Sequence, residues 1–332
     1  MRGFWTLALL VTNCVCLIGA DEVSPWQVRE IPDRHPLFKI FFVDEHVGWI
    51  LRGEILNALL KTSDGGKTWT QLPTNLTQPR VEIASIWFAD HNRGWAAGAI
   101  RQQPTIWETH DGGSSWTAKY TQARAFEGSN GAILDVRFVD QTHGWAVGYN
   151  GFKATIIATY DAGQHWITQY SGGEITHQFN LVRFWDASHG WALGSDALMQ
   201  TDDGGESWKL EYFGGGSLLN DIDVLGPSEV WVAGGWSHLV HKQGYDLSEV
   251  PLKDSLPDNF IGWVRFTTKD TGWAWGVKGE VVITRDGGKT WTPEAIPLKL
   301  NPDSDFMGDG TMAGPNLLIT VSPGRLLVRP IR

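Results

Sequence analysis

Cysteine is nearly missing from this 332-residue chain: the only two, Cys14 and Cys16, fall within the first twenty residues. A mature chain without that segment has no disulfide, no thiolate metal site and no cysteine nucleophile, so its fold must rest on its core. Basic residues are also few, 27 Lys+Arg against 37 Asp+Glu for a net charge of −10, and they do not cluster along the sequence. That balance argues against nucleic acid and against an anionic membrane surface as partners. Long apolar runs are lacking beyond Phe4 to Gly19, which follows Arg2 and ends at Ala20 before Asp21-Glu22. The run is too short for a membrane span and no stop-transfer cluster follows it. Residues 1–20 therefore read as a secretory signal peptide, and 21–332 as one exported domain, periplasmic or extracellular. Metal ligands are thin as well. No histidine pair has helical zinc spacing, and Asp303-x-Asp305 with Gly308 matches an EF-hand loop only in part, since Met307 and Gly314 stand where ligands are needed. No metal and no cofactor is expected.

What is abundant is tryptophan, 19 residues, most of them in register. Thr62 to Trp69 (TSDGGKTW) recurs as Thr109 to Trp116, Thr159 to Trp166, Thr201 to Trp208 and Thr284 to Trp291. Each copy fits Thr-x-Asp-x-Gly-x-x-Trp, giving Asp64, Asp111, Asp161, Asp203 and Asp286 with Trp69, Trp116, Trp166, Trp208 and Trp291. The physics is that of a stapled turn: the carboxylate accepts backbone N–H groups across a reversal, glycine supplies positive φ, and the indole anchors the following strand. These carboxylates are expected to be structural. A second motif precedes each box, Gly-Trp at Trp49, Trp95, Trp145, Trp191 and Trp273, with Val230-Trp231 as a degenerate member. These tryptophans lie 46, 50, 46, 40 and 42 residues apart, the period of a four-stranded propeller blade. In blade 3 the strands are expected at Ile133 to Val139, Gly144 to Gly148, Thr155 to Tyr160 and from Trp166 onward. Blade 5 has lost its box. After blade 6 come an irregular Phe306 to Ala313 and two strand-like runs, Asn316 to Ser322 and Arg325 to Ile331, roughly three strands in all, with Trp26 to Ile31 available as the missing outer strand. The expectation is an all-β, seven-bladed propeller of four-stranded antiparallel blades, closed by a 3+1 clasp of the two termini.

Tandem Gly-Trp-Ala-x-Gly followed by Asp-Gly-Gly-x-(Ser/Thr)-Trp resembles the Asp-box (bacterial neuraminidase repeat) propellers, most closely the photosystem II stability and assembly-factor group. The resemblance spans nearly all of the mature chain. It implies a non-enzymatic, exported protein that binds a partner polypeptide during assembly, here an envelope or membrane protein.

Strand A of each blade lines the centre of a propeller. One face is aliphatic (Ile40, Ile86, Val136, Val182, Ile222, Val264), whereas the other carries Lys39, Asp135, Arg137, Arg183, Asp221, Asp223, Trp263 and Arg265. Four basic groups against three acidic ones favour ion pairs between adjacent blades. The functional reading is an anion or carboxylate site of Arg137, Arg183 and Arg265. The D–A and B–C loops share the face on which propeller ligands usually bind. Notable there are Arg101-Gln102-Gln103, Tyr149-Asn150-Gly151, Gln122 to Gly131 and Gly234 to His238. Trp236 and Trp263 stand off the repeat positions and join Tyr149, Asp221 and Asp223 as candidate contacts. The alternative function is a glycan-binding or sialidase-like glycoside hydrolase propeller. It needs two facing carboxylates, and the loop candidates Glu127, Asp196 and Asp221 cannot be paired from the sequence. A monomer is expected. Asn75-Leu76-Thr77 fits a glycosylation sequon.

Overall fold

The Gly-Trp dipeptide exists because a phenylalanine lies on it. A Cβ placed on Gly94 would sit 2.4 Å from the Phe88 ring, and the same holds for Gly48 under Phe42, Gly144 under Phe138, Gly190 under Phe184 and Gly272 under Phe266. Each of these pairs is a directly opposed couple of strands A and B, such as Phe138↔Gly144. The far side of the same ring receives the tryptophan of the preceding blade: Trp49 stacks on Phe88 with centroids 3.6 Å apart, and Trp145 on Phe184 at 3.5 Å. The box tryptophan then meets that ring edge-on, Trp116 against Phe88 at 5.9 Å and Trp208 against Phe184 at 6.0 Å. Such an aromatic triad welds blade to blade at four junctions, 1–2, 2–3, 3–4 and 5–6. Such contacts add about 0.5–1.5 kcal/mol each beyond the area they bury.

In the computed structural model these units form seven four-stranded antiparallel sheets. It describes residues 25–31, 35–52, 58–172, 176, 178–213, 218–235, 238–252, 261–301 and 304–331. The first strands, Leu37–Phe42, Val81–Phe88, Gly131–Phe138, Phe179–Phe184, Leu219–Gly226, Ile261–Phe266 and Phe306–Ala313, touch their neighbours in a closed ring. Blade 3 runs Gly131–Phe138, Gly144–Asn150, Lys153–Thr159 and Ile167–Gly172, within one or two residues of the expected strand starts. Blade 7 takes its outer strand from the other end of the chain: Gln27–Glu30 pairs antiparallel with Arg325–Pro330, Gln27 opposite Val328. The irregular stretch Phe306–Ala313 is the inner strand of that blade, the first of the three C-terminal strands. Its regular pairing breaks between Met307 and Gly310, and this break hides the repeat pattern. The proposed signal segment 1–20 lies outside the described residues.

The box works as its chemistry requires. Asp64 Oδ1 accepts the Lys67 and Thr68 amides and the Thr62 hydroxyl at 2.8–2.9 Å, and Oδ2 accepts the Thr68 hydroxyl at 2.6 Å. Trp69 Nε1 donates back to Gly66 O at 3.2 Å. The turn is local and partly solvated, so D64A is expected to cost only about 1–2 kcal/mol, measured as a shift in the urea midpoint. The sequon asparagine is engaged: Asn75 Nδ2 donates to Trp116 O at 2.8 Å while its Oδ1 accepts Trp116 N–H at 2.9 Å, tying blade 1 to blade 2.

Candidate functional site

Inside the ring, aspartates of alternate blades reach sideways. Asp135 of blade 3 takes the Val182 amide of blade 4 at 3.2 Å, Asp221 of blade 5 takes the Val264 amide of blade 6 at 3.1 Å, and Asp309 of blade 7 takes the Ile40 amide of blade 1 at 3.3 Å. Strand A of the receiving blade is thereby held by a side chain where a continuous sheet would have offered a backbone partner. The arginine beside the bonded amide completes the contact. Arg183 bonds Asp135 and Arg265 bonds Asp221 by short charge-assisted hydrogen bonds, and Arg137 lies 3.3 Å from Asp135 in its own strand. Ser85 of blade 2 donates to Asp135 Oδ1 at 2.7 Å. Sequence reasoning missed Asp309, whose strand lacks the aliphatic-x-Phe pattern. With it, the column holds Asp135, Asp221, Asp223 and Asp309 against Lys39, Arg137, Arg183 and Arg265, which balances the charge.

Burial alone would raise the Asp135 carboxyl, but the charges of Arg137, Arg183 and Lys39 and the Ser85 hydroxyl outweigh it and hold it at about 2. Burial lowers Arg137 to about 10, and Asp135 opposes that only in part. Asp223 goes the other way. Burial lifts it from 3.8 to about 6, with Arg265 and the Phe266 amide, 2.6 Å away, resisting and Asp221 assisting. A carboxyl raised on folding stabilises the fold most below its unfolded value and loses that contribution as pH rises from about 4 to about 6. D223N, which mimics the protonated group, is therefore expected to raise stability at pH 7.5 by on the order of 2 kcal/mol and to leave it unchanged near pH 4. Urea unfolding at the two pH values checks this.

The other expected contacts are dispersed. Trp263 is half-buried and stacks on Trp275 with centroids 6.1 Å apart. Tyr149 is half-buried in its strand, opposite Ala132 and Ala154. Trp236 lies outside the described residues. Glu127 and Asp196 stand in loops of different blades.

Around blades 2 and 3, four loops of the D–A/B–C face form one surface. Its floor is the segment between Thr121 and Gly131, pinned by Asn150: the amide oxygen accepts Ala125 N–H at 2.9 Å and the amide nitrogen donates to Ala123 O at 2.8 Å. The pinned segment presents Phe126, 50% exposed, against Phe152 of the next B–C turn, 73% exposed, with ring centroids 5.9 Å apart. Gly151 is required beneath, since a Cβ there would come within 3.1 Å of both Ala125 and Phe126. Beside this pair opens a pocket of about 240 Å³ lined by Arg80, Glu82, Arg101, Gln102 and Arg124. None of these was singled out by repeat position, because they come from three separate connections. The only sequence signal was that Arg101-Gln102 and the long 122–131 connection belong to one face. Among the described residues no group of three or more His, Cys, Asp or Glu side chains is placed to hold a metal ion.

The ring, its Gly-Trp junctions and its stapled Thr-x-Asp-x-Gly-x-x-Trp turns define an Asp-box (BNR) repeat β-propeller. Residues 18–125 match the family described as photosynthesis system II assembly factor YCF48, and residues 282–293 match the BNR/Asp-box repeat. The photosystem II assembly protein Ycf48 of Synechococcus sp. (strain JA-3-3Ab) is 30% identical over 95 residues, 27% of this chain and 28% of that protein, so the alignment spans less than a third of the relative's length. A solved structure of YCF48 bound to D1 peptide superposes with a TM-score of 0.72 at 17% identity, covering 94% of this chain and 98% of that one. Virginiamycin B lyase from Staphylococcus aureus shares the fold at a TM-score of 0.70 and 11% identity, over 92% of this chain and all of the other. The chain is a BNR-type propeller like the photosystem II assembly factors.

Proposed function

We propose that this chain is an exported, non-enzymatic propeller that binds a partner protein of the envelope or membrane and acts, as a monomer, as an assembly or stability factor. The observation that carries the reading is the Phe126–Phe152 pair. Two large apolar rings are exposed side by side, Phe126 on a segment braced by Asn150 and Phe152 on the adjacent turn, and an exposed aromatic pair of this kind suits a macromolecular interface. The solved YCF48 with its D1 peptide supports a polypeptide as the partner class. The central carboxylates speak against hydrolysis, since Asp135, Asp221, Asp223 and Asp309 already accept amides or guanidinium groups of neighbouring strands. A general acid or nucleophile must keep its carboxyl available to substrate.

The test is affinity capture from detergent-solubilised native envelope, comparing the mature protein with F126S/F152S. The unmodified protein is expected to recover a specific polypeptide that the variant loses, with unchanged circular dichroism and unfolding midpoint. Recovery of no protein, together with release of sugar from a polysaccharide panel, refutes the reading in favour of a hydrolase.

A further inference from the structure

We infer that the outer strand of blade 5, Asp246–Pro251, is an open sheet edge that takes an extended polypeptide segment as a fifth strand. The segment carries an apolar side chain opposite Leu247 and a basic one, next in its sequence, opposite Asp246. This site is separate from the Phe126–Phe152 surface and goes beyond the reading given to it.

The first ground is a comparison among the blades. An outer strand presents a row of backbone N–H and C=O groups without a neighbour, and proteins blunt such edges with short strands or bulges because they template pairing with another chain. Blades 1 and 6 end in strands of only two residues, Thr70–Gln71 and Thr292–Pro293. In blades 2, 3 and 4 the outer pairing is broken by a register shift, between Ile106 and Trp107, Ile156 and Ile157, and Leu198 and Met199 respectively. Blade 7 ends in the clasp strand Gln27–Glu30, only four residues long. Blade 5 has neither device: Asp246–Pro251 pairs with His238–Gln243 over six consecutive couples without a shift, and it ends the sheet.

The second ground is that this edge is rigid. Where the other blades carry a box, blade 5 has the two-residue turn Gly244-Tyr245, with Gly244 at φ 59° in the first central position, as a type II′ hairpin turn requires. Lys242 is buried beneath it, bonding Gly244 O and pairing with Glu211 of blade 4 at 3.1 Å, and Gly244 N–H donates to Ser228 O at 2.9 Å. A turn of this length makes Gln243 and Asp246 a hydrogen-bonded couple, so the alternation of the ladder directs the N–H and C=O of Leu247 outward.

The side chains supply the preference. All residues from Gln243 to Glu249 are exposed, Tyr245 fully and Leu247 by 39%. Leu247 shares a face with Glu249, whose carboxylate accepts the Tyr212 hydroxyl of blade 4 at 2.8 Å. Asp246 stands on the other face, exposed, with no side-chain partner among the described residues. Residues directly opposite in a ladder share a face, so consecutive residues of an added strand meet Leu247 and Asp246. The strand itself contains acids and no lysine or arginine, which turns away acidic segments and admits basic ones.

The test pans a phage library of random dodecapeptides on mature full-length F126S/F152S, a bait without the other aromatic pair, and measures the enriched peptides by fluorescence anisotropy. Enriched peptides are expected to place Lys or Arg beside a β-branched or aromatic residue. Methylating the peptide backbone nitrogens one at a time should weaken binding about fivefold at every second position and little between them, a period that side-chain contact alone does not produce. L247P removes the outward N–H and is expected to weaken binding about tenfold. L247K keeps that N–H but sets a like charge against the basic segment, and it should weaken binding severalfold with an unchanged unfolding midpoint. D246N should cost about two- to fivefold and abolish the preference for a basic residue. Enrichment of no peptide, or of peptides indifferent to N-methylation and to L247K, overturns the proposal. So does a dimer in sedimentation that L247K dissociates, since a second copy then occupies the edge. Each of these outcomes leaves the Phe126–Phe152 reading to be decided by envelope capture.

Discussion

D135A is expected to destabilise the fold by about 3–5 kcal/mol. Asp135 is fully buried and serves three blades at once: it accepts the Ser85 hydroxyl of blade 2, accepts the Val182 amide and the Arg183 guanidinium of blade 4, and faces Arg137 of its own strand. Alanine strands two guanidiniums and an amide in a region from which water is largely excluded. Asparagine keeps an acceptor for Val182 and should cost less. Chemical unfolding followed by tryptophan fluorescence measures both, helped by the many indoles at blade junctions. The pH dependence supplies an internal control. The carboxyl is held at about 2, below its ordinary 3.8, so its contribution is present above about pH 4 and lost as pH falls through 2. The gap between D135A and the unmodified protein should therefore close in strong acid. The same experiment separates the two roles open to the column arginines. If R183A and R265A also unfold early, they are structural partners. If D135A costs less than about 1 kcal/mol, the column is wet and its arginines are available to ligand.

The second large effect is expected at the closure of the ring. Glu294 receives Trp26 Nε1 at 2.8 Å, Trp273 Nε1 at 2.9 Å and Arg329 Nη2 at 3.1 Å, so one carboxylate joins the terminal clasp, blade 6 and blade 7. E294A leaves two indole N–H groups and a guanidinium without their acceptor and is expected to cost about 2–4 kcal/mol. It should also loosen the outer strand Gln27–Glu30 before the rest of the molecule. Limited proteolysis reads this directly: cleavage ahead of Leu37 should accelerate in E294A while the other blades remain protected. Equal protection of the clasp in both proteins would show that strand pairing alone closes the ring.

Glu294 also explains why the repeat was legible while its exceptions were not. The B-strand indole donates to the box of the next blade at two junctions, Trp49 to Gly112 O at 2.9 Å and Trp145 to Gly204 O at 3.1 Å, whereas Trp95 Nε1 has no partner among the described residues although blade 3 keeps its box. Blade 7 has no box, and Glu294 replaces it for Trp273. Blade 5 has no box either, nor a phenylalanine at Val224, and Trp191 Nε1, like Trp95 Nε1, has no hydrogen-bond partner among the described residues. Motifs that recur announce themselves, so blade count, box geometry and buried tryptophans could be read from spacing alone. Asp309 could not, because the pairing irregularity in Phe306–Ala313 removes the pattern around it. The ion pairs were expected as a class, yet which arginine meets which aspartate depends on the sideways offset of neighbouring sheets, which no single strand encodes. The arginine pocket was hidden for a further reason. Its members lie in three connections, and the left-handed turn at Arg101-Gln102 contains neither of the residues that normally advertise such a turn.

The sideways aspartates have a consequence that follows from arithmetic. They fasten blade 3 to blade 4, blade 5 to blade 6 and blade 7 to blade 1. A set with an odd number of members cannot be divided into couples, and here the remainder is blade 2, joined inward to blade 3 by the Ser85 hydroxyl and by Arg137 Nη1, which donates to Ile86 O at 3.3 Å. Evolution of a ring locked two by two leaves one unit free of that constraint, and the loops of that unit can be rebuilt without unpicking a couple. Arg80, Arg101 and the left-handed turn all belong to it. Parity thus leaves blade 2 as the one unit outside the couples.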